Sequence, residues 1–193
     1  MRLSIVIPVY KKMWNYKFYL DRCLESIKSQ TFKDYEIIMT NKGNASENTN
    51  LGIKQAKGDY IKIIHQDDYF SSPTSLQKIV DEMPFDWLVS GCIHDDGSLS
   101  REHYPVYDER TDNGINTIGA PSVLTFKNDS PLLFDERLVW VFDVELYRRL
   151  FDRYGLPTIL NEVNVVIGIH RGQASNHIKD DIKTEEDKFI QNV

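Results

Sequence analysis

Residues 60–70 read YIKIIHQDDYF, and the fold turns on where this stretch changes character. Gly58 and Asp59 turn the chain into it, and an apolar run follows from Tyr60 to Ile64. A short continuous run of this kind marks a strand buried on both faces, as in a parallel sheet. It stops abruptly at His65, Gln66, Asp67 and Asp68. Two adjacent carboxylates at a strand end repel each other. Either a cation offsets that repulsion, or the pair lies in a solvated turn. In the second case Asp68, Ser71 or Ser72 caps a helix that starts near Pro73.

Upstream, LSIVIPV (3–9) is a second such run, closed by a proline-containing end, and YEIIM (35–39) reads as a further strand. Between them Tyr16, Leu20, Cys23, Leu24 and Ile27 recur at helical spacing. The polar segment TNKGNASENTN (40–50) reads as a loop, followed by a short helix over about 50–57. Leu76, Ile79, Val80 and Met83 mark a third helix. Strand, helix, strand, helix, strand implies right-handed crossovers and a parallel sheet. Downstream, DWLVSGCI (86–93), PSVLTF (121–126) and EVNVVIGIH (162–170) read as strands. Residues 94–117 are polar and read as a long loop or hairpin near a site. A helix over about 142–153 carries Leu146, Tyr147, Leu150 and Phe151 on one face. Ile178, Ile182 and Phe189 give the charged tail a small amphipathic helix, either a solvated face or an oligomer contact.

The bulk numbers set limits. The 193 residues suffice for one domain with a sizeable core, and 41% apolar with 27% charged residues is a globular composition. A formal charge of −6 argues against nucleic acid as a partner. No run reaches the length of a membrane span, and the N-terminal MRLSIVIPVYKK reads as a strand rather than a signal peptide. Cys23 and Cys92 read as reduced core thiols, which points to the cytoplasm. No linker divides the chain.

Ligands of a parallel sheet bind beyond the carboxyl ends of its strands. Three polar clusters fall there: Pro8 to Tyr10, Thr40 to Asn44, and His65 to Asp68. They should share one crevice, for which a nucleotide with a divalent cation between its phosphates and the aspartates is a reasonable occupant.

At this point the sequence resembles a known family. SIVIPVY (4–10), YLDRCLESIKSQTFKDYEII (19–38) and NLGIKQAKGDYIKIIHQDDYF (50–70) resemble the N-terminal half of family 2 glycosyltransferases of GT-A fold. GAPSVLTFKN (119–128), FDERLVWVFDVELYRRL (134–150) and IGIHRGQAS (167–175) resemble the acceptor-side half, in the same order. The resemblance implies an α/β fold with a Rossmann-like, mostly parallel sheet flanked by helices and a small acceptor-side extension. Residues 1–93 would form the nucleotide-sugar half, 94–175 the acceptor-side half and 176–193 a charged C-terminal helix.

It also implies roles. His65-Gln66-Asp67 occupies the place of the family's metal-binding Asp-x-Asp motif. Asp67 would hold Mn²⁺ or Mg²⁺ on the diphosphate, with His65 next to the ribose and Asp68 in support. Pro8, Val9, Tyr10, Thr40, Asn41, Asn50, Lys54 and Gln66 would belong to the nucleotide pocket. His170 matches a late histidine that reaches the metal or diphosphate in some members. Asp143 matches the general base. By its own pattern it begins a helix, where an acid also serves as a cap, and Glu145 is the alternative base. Trp140 either stacks on a sugar ring or simply packs.

Two departures stand out. The family's acidic stretch after the second strand is replaced by MTNKGNAS (39–46), and the connection to NLGIKQA is short. The implied activity is metal-dependent, inverting transfer of a sugar to a saccharide hydroxyl. The donor is a nucleoside diphosphate sugar, UDP-glucose or UDP-galactose first among candidates. The alternative is a catalytically silent nucleotide-sugar-binding module or partner subunit, which the missing acids at Thr40, Asn41 and His65 favour.

Overall fold

A computed structural model describes residues 2–192. Strand β1 (Leu3–Pro8) is buried along its whole length, as its unbroken apolar run requires. It pairs in parallel with β2 (Tyr35–Thr40) on one side and with β3 (Tyr60–Ile63) on the other. Helix α1 (Tyr16–Lys28) makes the first crossover and buries Cys23 and Ile27. This is the parallel unit read from the first third of the chain.

The sheet then changes character. β4 (Tyr69–Phe70) and helix α3 (Ser75–Asp81) lead to β5 (Trp87–Asp95), which turns back through an antiparallel hairpin into β6 (Ser100–His103). Only the short turns α4 (Glu109–Asp112) and Pro121–Val123 intervene before β7 (Leu124–Lys127). A parallel connection needs a crossover of a dozen residues or more, usually a helix. The chain instead inserts β7 antiparallel to both β3 and β5. Helix α5 (Phe142–Tyr154) and β8 (Thr158–Gly168) follow, with β8 parallel to β5 and antiparallel to β4. One sheet of order β2-β1-β3-β7-β5-β8-β4, with β6 beside β5, therefore runs through both halves. It is mixed rather than mostly parallel, because the 94–117 segment is a hairpin and not a crossover. PSVLTF divides likewise: Pro121–Val123 is a 3-10 turn and only the remainder is strand.

Helix α2 (Ala45–Gln55) starts well before its expected position. Asn44 caps it: its side chain accepts from Glu47 N–H, and Glu47 returns a bond to Asn44 N–H. The sequence pattern missed the first turns of this helix because its buried face is polar. Ser46, Asn48, Thr49 and Asn50 are all buried.

Helix α6 (Asp180–Gln191) folds onto its own chain through Ile190, which packs with Leu138, Val141 and Val144. Its charged run is solvated except for Glu186, which is buried. The Glu186 carboxylate accepts from the backbone N–H of Val139, Trp140 and Val141, at 2.8–3.2 Å. Those amides precede α5, whose cap residue Val141 offers no side-chain bond. Glu186 therefore caps α5 from across the chain. Glu186→Ala should orphan buried donors and cost roughly 3 kcal/mol. Thermal unfolding should register about 6–12 °C of lost midpoint for a chain of this size, with Glu186→Gln losing less.

Candidate functional site

The carboxyl ends of β1, β2 and β3 lie together, and side-chain amides bind them to one another. Val9 N–H donates to the Thr40 carbonyl at 2.7 Å, and Asn48 Nδ2 donates to the Val9 carbonyl at 3.0 Å. Thr40 is buried and its hydroxyl donates to the Asn48 carbonyl. Gln66 pairs both ways with the Tyr10 backbone: its Oε1 accepts from the N–H at 2.8 Å and its Nε2 donates to the carbonyl at 3.3 Å. Pro8 and Val9 are buried, while Tyr10 and Asn41 are exposed at the crevice rim.

The two aspartates divide into different environments. Asp68 is 3% exposed. Its Oδ2 accepts from Ser122 Oγ at 2.5 Å and its Oδ1 from Gly168 N–H at 3.0 Å. Burial pushes its carboxyl well above the usual carboxylate range, and the nearby Asp67 charge pushes the same way. Asp68 is thus neither a turn acid nor the helix cap considered from sequence; Ser72 Oγ accepts from Thr74 N–H in the turn before α3, whose cap residue Thr74 makes no side-chain cap bond. Asp68→Ala should leave the Gly168 and Ser122 donors unmatched and cost about 2–5 kcal/mol in denaturant unfolding.

Asp67, mostly covered, faces His170, whose Nε2 lies 3.0 Å from its Oδ2. Gly172 N–H donates to His170 Nδ1, so Nε2 carries the proton that points at Asp67. The imidazole stacks on Tyr19 at 4.3 Å between centroids. Arg22 donates to the Asp67 carbonyl at 2.6 Å, with its guanidinium 4.3 Å from the Tyr69 ring centre. The repulsion between the two aspartates is therefore relieved by burying one among donors and facing the other with a histidine. Gly168 must be glycine: a Cβ there would meet the Asp67 carbonyl oxygen at 2.5 Å. His65 N–H donates to Ser122 Oγ, while its buried Nε2 has no partner.

Asp143 opens α5. Its Oδ1 accepts from Val144 N–H and its Oδ2 from Asn116 Nδ2, each at 2.8 Å. Burial raises its pKa to about 7, and these hydrogen bonds oppose the rise. Glu145 instead forms an ion pair with Arg149 at 2.5 Å, which leaves Asp143 as the acid suited to accept a proton near neutral pH.

Three sequence expectations do not come to this crevice. The Asn50 amide holds the Phe134 backbone and the Glu136 carboxylate inside the fold. Lys54 lies near the far end of α2, within 3.9 Å of Glu136. Trp140 packs on α6, with Nε1 donating to Asp187 at 3.0 Å and Lys183 4.9 Å from its ring centre. Gln66, though adjacent, has its amide engaged by Tyr10. Residues missed from sequence do the local work: Asn48, Ser122, Gly168, Arg22 and Asn116. None of these carried a local signal in the sequence.

Among the described residues, no group of three or more His, Cys, Asp or Glu is arranged to hold a metal ion. The Asp67–His170 pair fits a metal that brings most of its own ligands. Mg²⁺ and Mn²⁺ favour one or two protein ligands completed by phosphate oxygens and water. Beside the pair, Ile169 joins His94, Leu99, Arg101 and His103 around an open cavity of about 460 Å³.

No protein-family model matches the chain. In sequence it is 28% identical over 187 residues to the uncharacterized glycosyltransferase EpsJ of Bacillus subtilis (strain 168), covering 80% of this chain and 50% of that protein. Among solved structures, S. aureus TarS 1–349 in complex with UDP-GlcNAc superposes with a TM-score of 0.71 at 16% identity. It covers 93% of this chain and 62% of that one. The fold is a glycosyltransferase fold. The mannosyltransferase PcManGT of Pyrobaculum calidifontis, in complex with GDP-Man and Mn²⁺, shares it with a TM-score of 0.61 at 9% identity over 88% of this chain and 57% of that one. The chain thus spans about half the length of its curated relative. No helix among the described residues is long and apolar enough to cross a membrane.

Proposed function

We propose that this chain is a metal-dependent, inverting glycosyltransferase that moves a hexosyl group from a UDP-sugar to a saccharide hydroxyl. The observation that carries this reading is the pairing of a raised acid, Asp143, with the largely covered Asp67–His170 pair on a fold whose relative holds UDP-GlcNAc.

The nucleotide lies across the ends of β1, β2 and β3, with Tyr10 and Asn41 at its edge. Asn41 offers both a donor and an acceptor to a uracil edge. Asp67, with His170 as second ligand, would hold Mn²⁺ or Mg²⁺. When bound, the ion supplies positive charge to the departing diphosphate. For His170 to act as a ligand through Nε2, its ring proton would sit on Nδ1 instead, giving up the bond that Nδ1 accepts from Gly172 N–H. The acceptor approaches over the cavity beside Ile169. Asp143 takes the hydroxyl proton as the oxygen attacks the anomeric carbon from the face opposite the diphosphate. The carbon–oxygen bond to the diphosphate breaks with inversion.

The test is UDP release from UDP-glucose, UDP-galactose and UDP-GlcNAc with Mn²⁺, with and without a panel of mono- and oligosaccharides. Release from one donor, lost in Asp143→Asn, is expected. Nucleotide binding without release from any donor would instead support the silent binding module.

A further inference from the structure

We infer that Asn116 is the positioning residue of the base, holding the Asp143 carboxylate in one orientation and fixing the pH at which it ionises. This rests on the reading of Asp143 as the base. Asn116 lies in the long polar segment between β6 and β7, and its amide has no freedom to turn. Its Oδ1 accepts from Ile118 N–H at 3.1 Å and Gly119 N–H at 2.7 Å. Its Nδ2 donates to the Gly119 carbonyl at 3.1 Å and to Asp143 Oδ2 at 2.8 Å. Both donors and both acceptor positions of the side chain are thus used. With its oxygen held by two backbone N–H groups, the amide can present only a donor to Asp143.

The surrounding groups leave this role to Asn116. The influences on Asp143 are burial and hydrogen bonds, with no charged side chain among them. Its backbone donors, Val144 N–H and its own N–H, belong to the helix itself, so Asn116 is the donor from another element. The facing titratable groups are remote from charge balance. Tyr147, one turn on in α5, is kept neutral by burial and donates to the Gly119 carbonyl. Cys92 of β5 lies near Tyr147 with its thiol pushed up to about 12. His103 of β6 packs against Gly119. A donor to the ionised form stabilises it, so losing Asn116 leaves burial unopposed by one bond.

The test reads the carboxyl directly. In the full chain without ligand, the ¹³C shift of the Asp143 carboxyl is titrated by NMR, assigned with Asp143→Asn. Wild type should show a midpoint near 7. Asn116→Ala should raise it by about one pH unit. Asn116→Ser, which keeps an acceptor for the Gly119 turn but no donor that reaches Asp143, should raise it as far and guards against misfolding of the first variant. UDP release should then lose kcat at neutral pH with donor KM unchanged, its acid limb moving with the NMR midpoint. An unmoved midpoint in both variants would overturn the inference. A moved midpoint in a wild-type protein that releases UDP from no donor would uphold the coupling and overturn the transferase reading alone.

Discussion

Asp143→Asn lowers the rate of sugar transfer by about 10²–10⁴-fold, the usual loss when a positioned general base is removed. Donor affinity should hardly change, because Asp143 lies in α5 and not at the ends of β1, β2 and β3. The wild-type kcat/KM should rise about tenfold per pH unit below 7 and level off above it, since the carboxylate is the active form and its pKa is raised to about 7. The same substitution should stabilise the protein on the alkaline side. Burial raises the folded-state pKa from 3.8 to about 7, so between these values the folded chain holds a proton that the unfolded chain has released. Stability therefore falls as pH rises through that window. Asp143→Asn does not titrate, so its melting midpoint should exceed wild type by several degrees at pH 8 and converge with it toward pH 4. A slow variant with a wild-type stability profile would mean that the Asp143 carboxyl is not raised in the folded protein.

Asp67→Ala should remove metal-dependent nucleotide binding and lower transfer by about 10²–10³-fold, the loss seen when one electrostatic stabiliser of developing charge is deleted. Its stability cost should be small. The Asp67 side chain is partly exposed, and it is the backbone carbonyl, not the carboxylate, that Arg22 holds. This sets it apart from Asp68, where the same substitution should destabilise the fold. Adjacent in sequence and alike in chemistry, the two aspartates are predicted to fail in opposite ways. Calorimetry with UDP and Mn²⁺ on Asp67→Ala, beside urea unfolding of both variants, distinguishes them.

Much of the fold is legible because it follows from uninterrupted apolar runs. LSIVIPV and YIKII become strands buried along their length, YEIIM an edge strand with Met39 exposed, and the α1 periodicity supplies the crossover between LSIVIPV and YEIIM. What resisted reading is polar and buried. Helix α2 hides Ser46, Asn48 and Asn50 on its inner face, so a hydrophobic scan sees a loop. The reversal of β7 depends on a hairpin in the 94–117 segment, whose polarity says nothing about strand direction.

The site divides the same way. Asp67, Asp68 and Asp143 announce themselves by standing where a strand ends or a helix begins. Their partners do not. Ser122 is 54 residues from Asp68, Gly168 is 100 away, and Asn116 is 27 from Asp143. No local pattern requires a serine, a glycine or an asparagine at those places, and only the folded sheet brings them together. Asn50, Lys54 and Trp140 show the converse. A family position suggested contact with ligand, while the early start of α2 and the docking of α6 gave each side chain a partner inside the chain.

The most direct test is thermal unfolding with UDP, GDP, CDP and dTDP, each with and without Mn²⁺, on wild type and Asp67→Ala. A ligand at about 100 times its dissociation constant adds roughly 2.7 kcal/mol, or about 5–10 °C for a chain of this size. The account predicts that rise with UDP, only with Mn²⁺, and its loss in Asp67→Ala. No rise with any nucleotide at saturating concentration would contradict it.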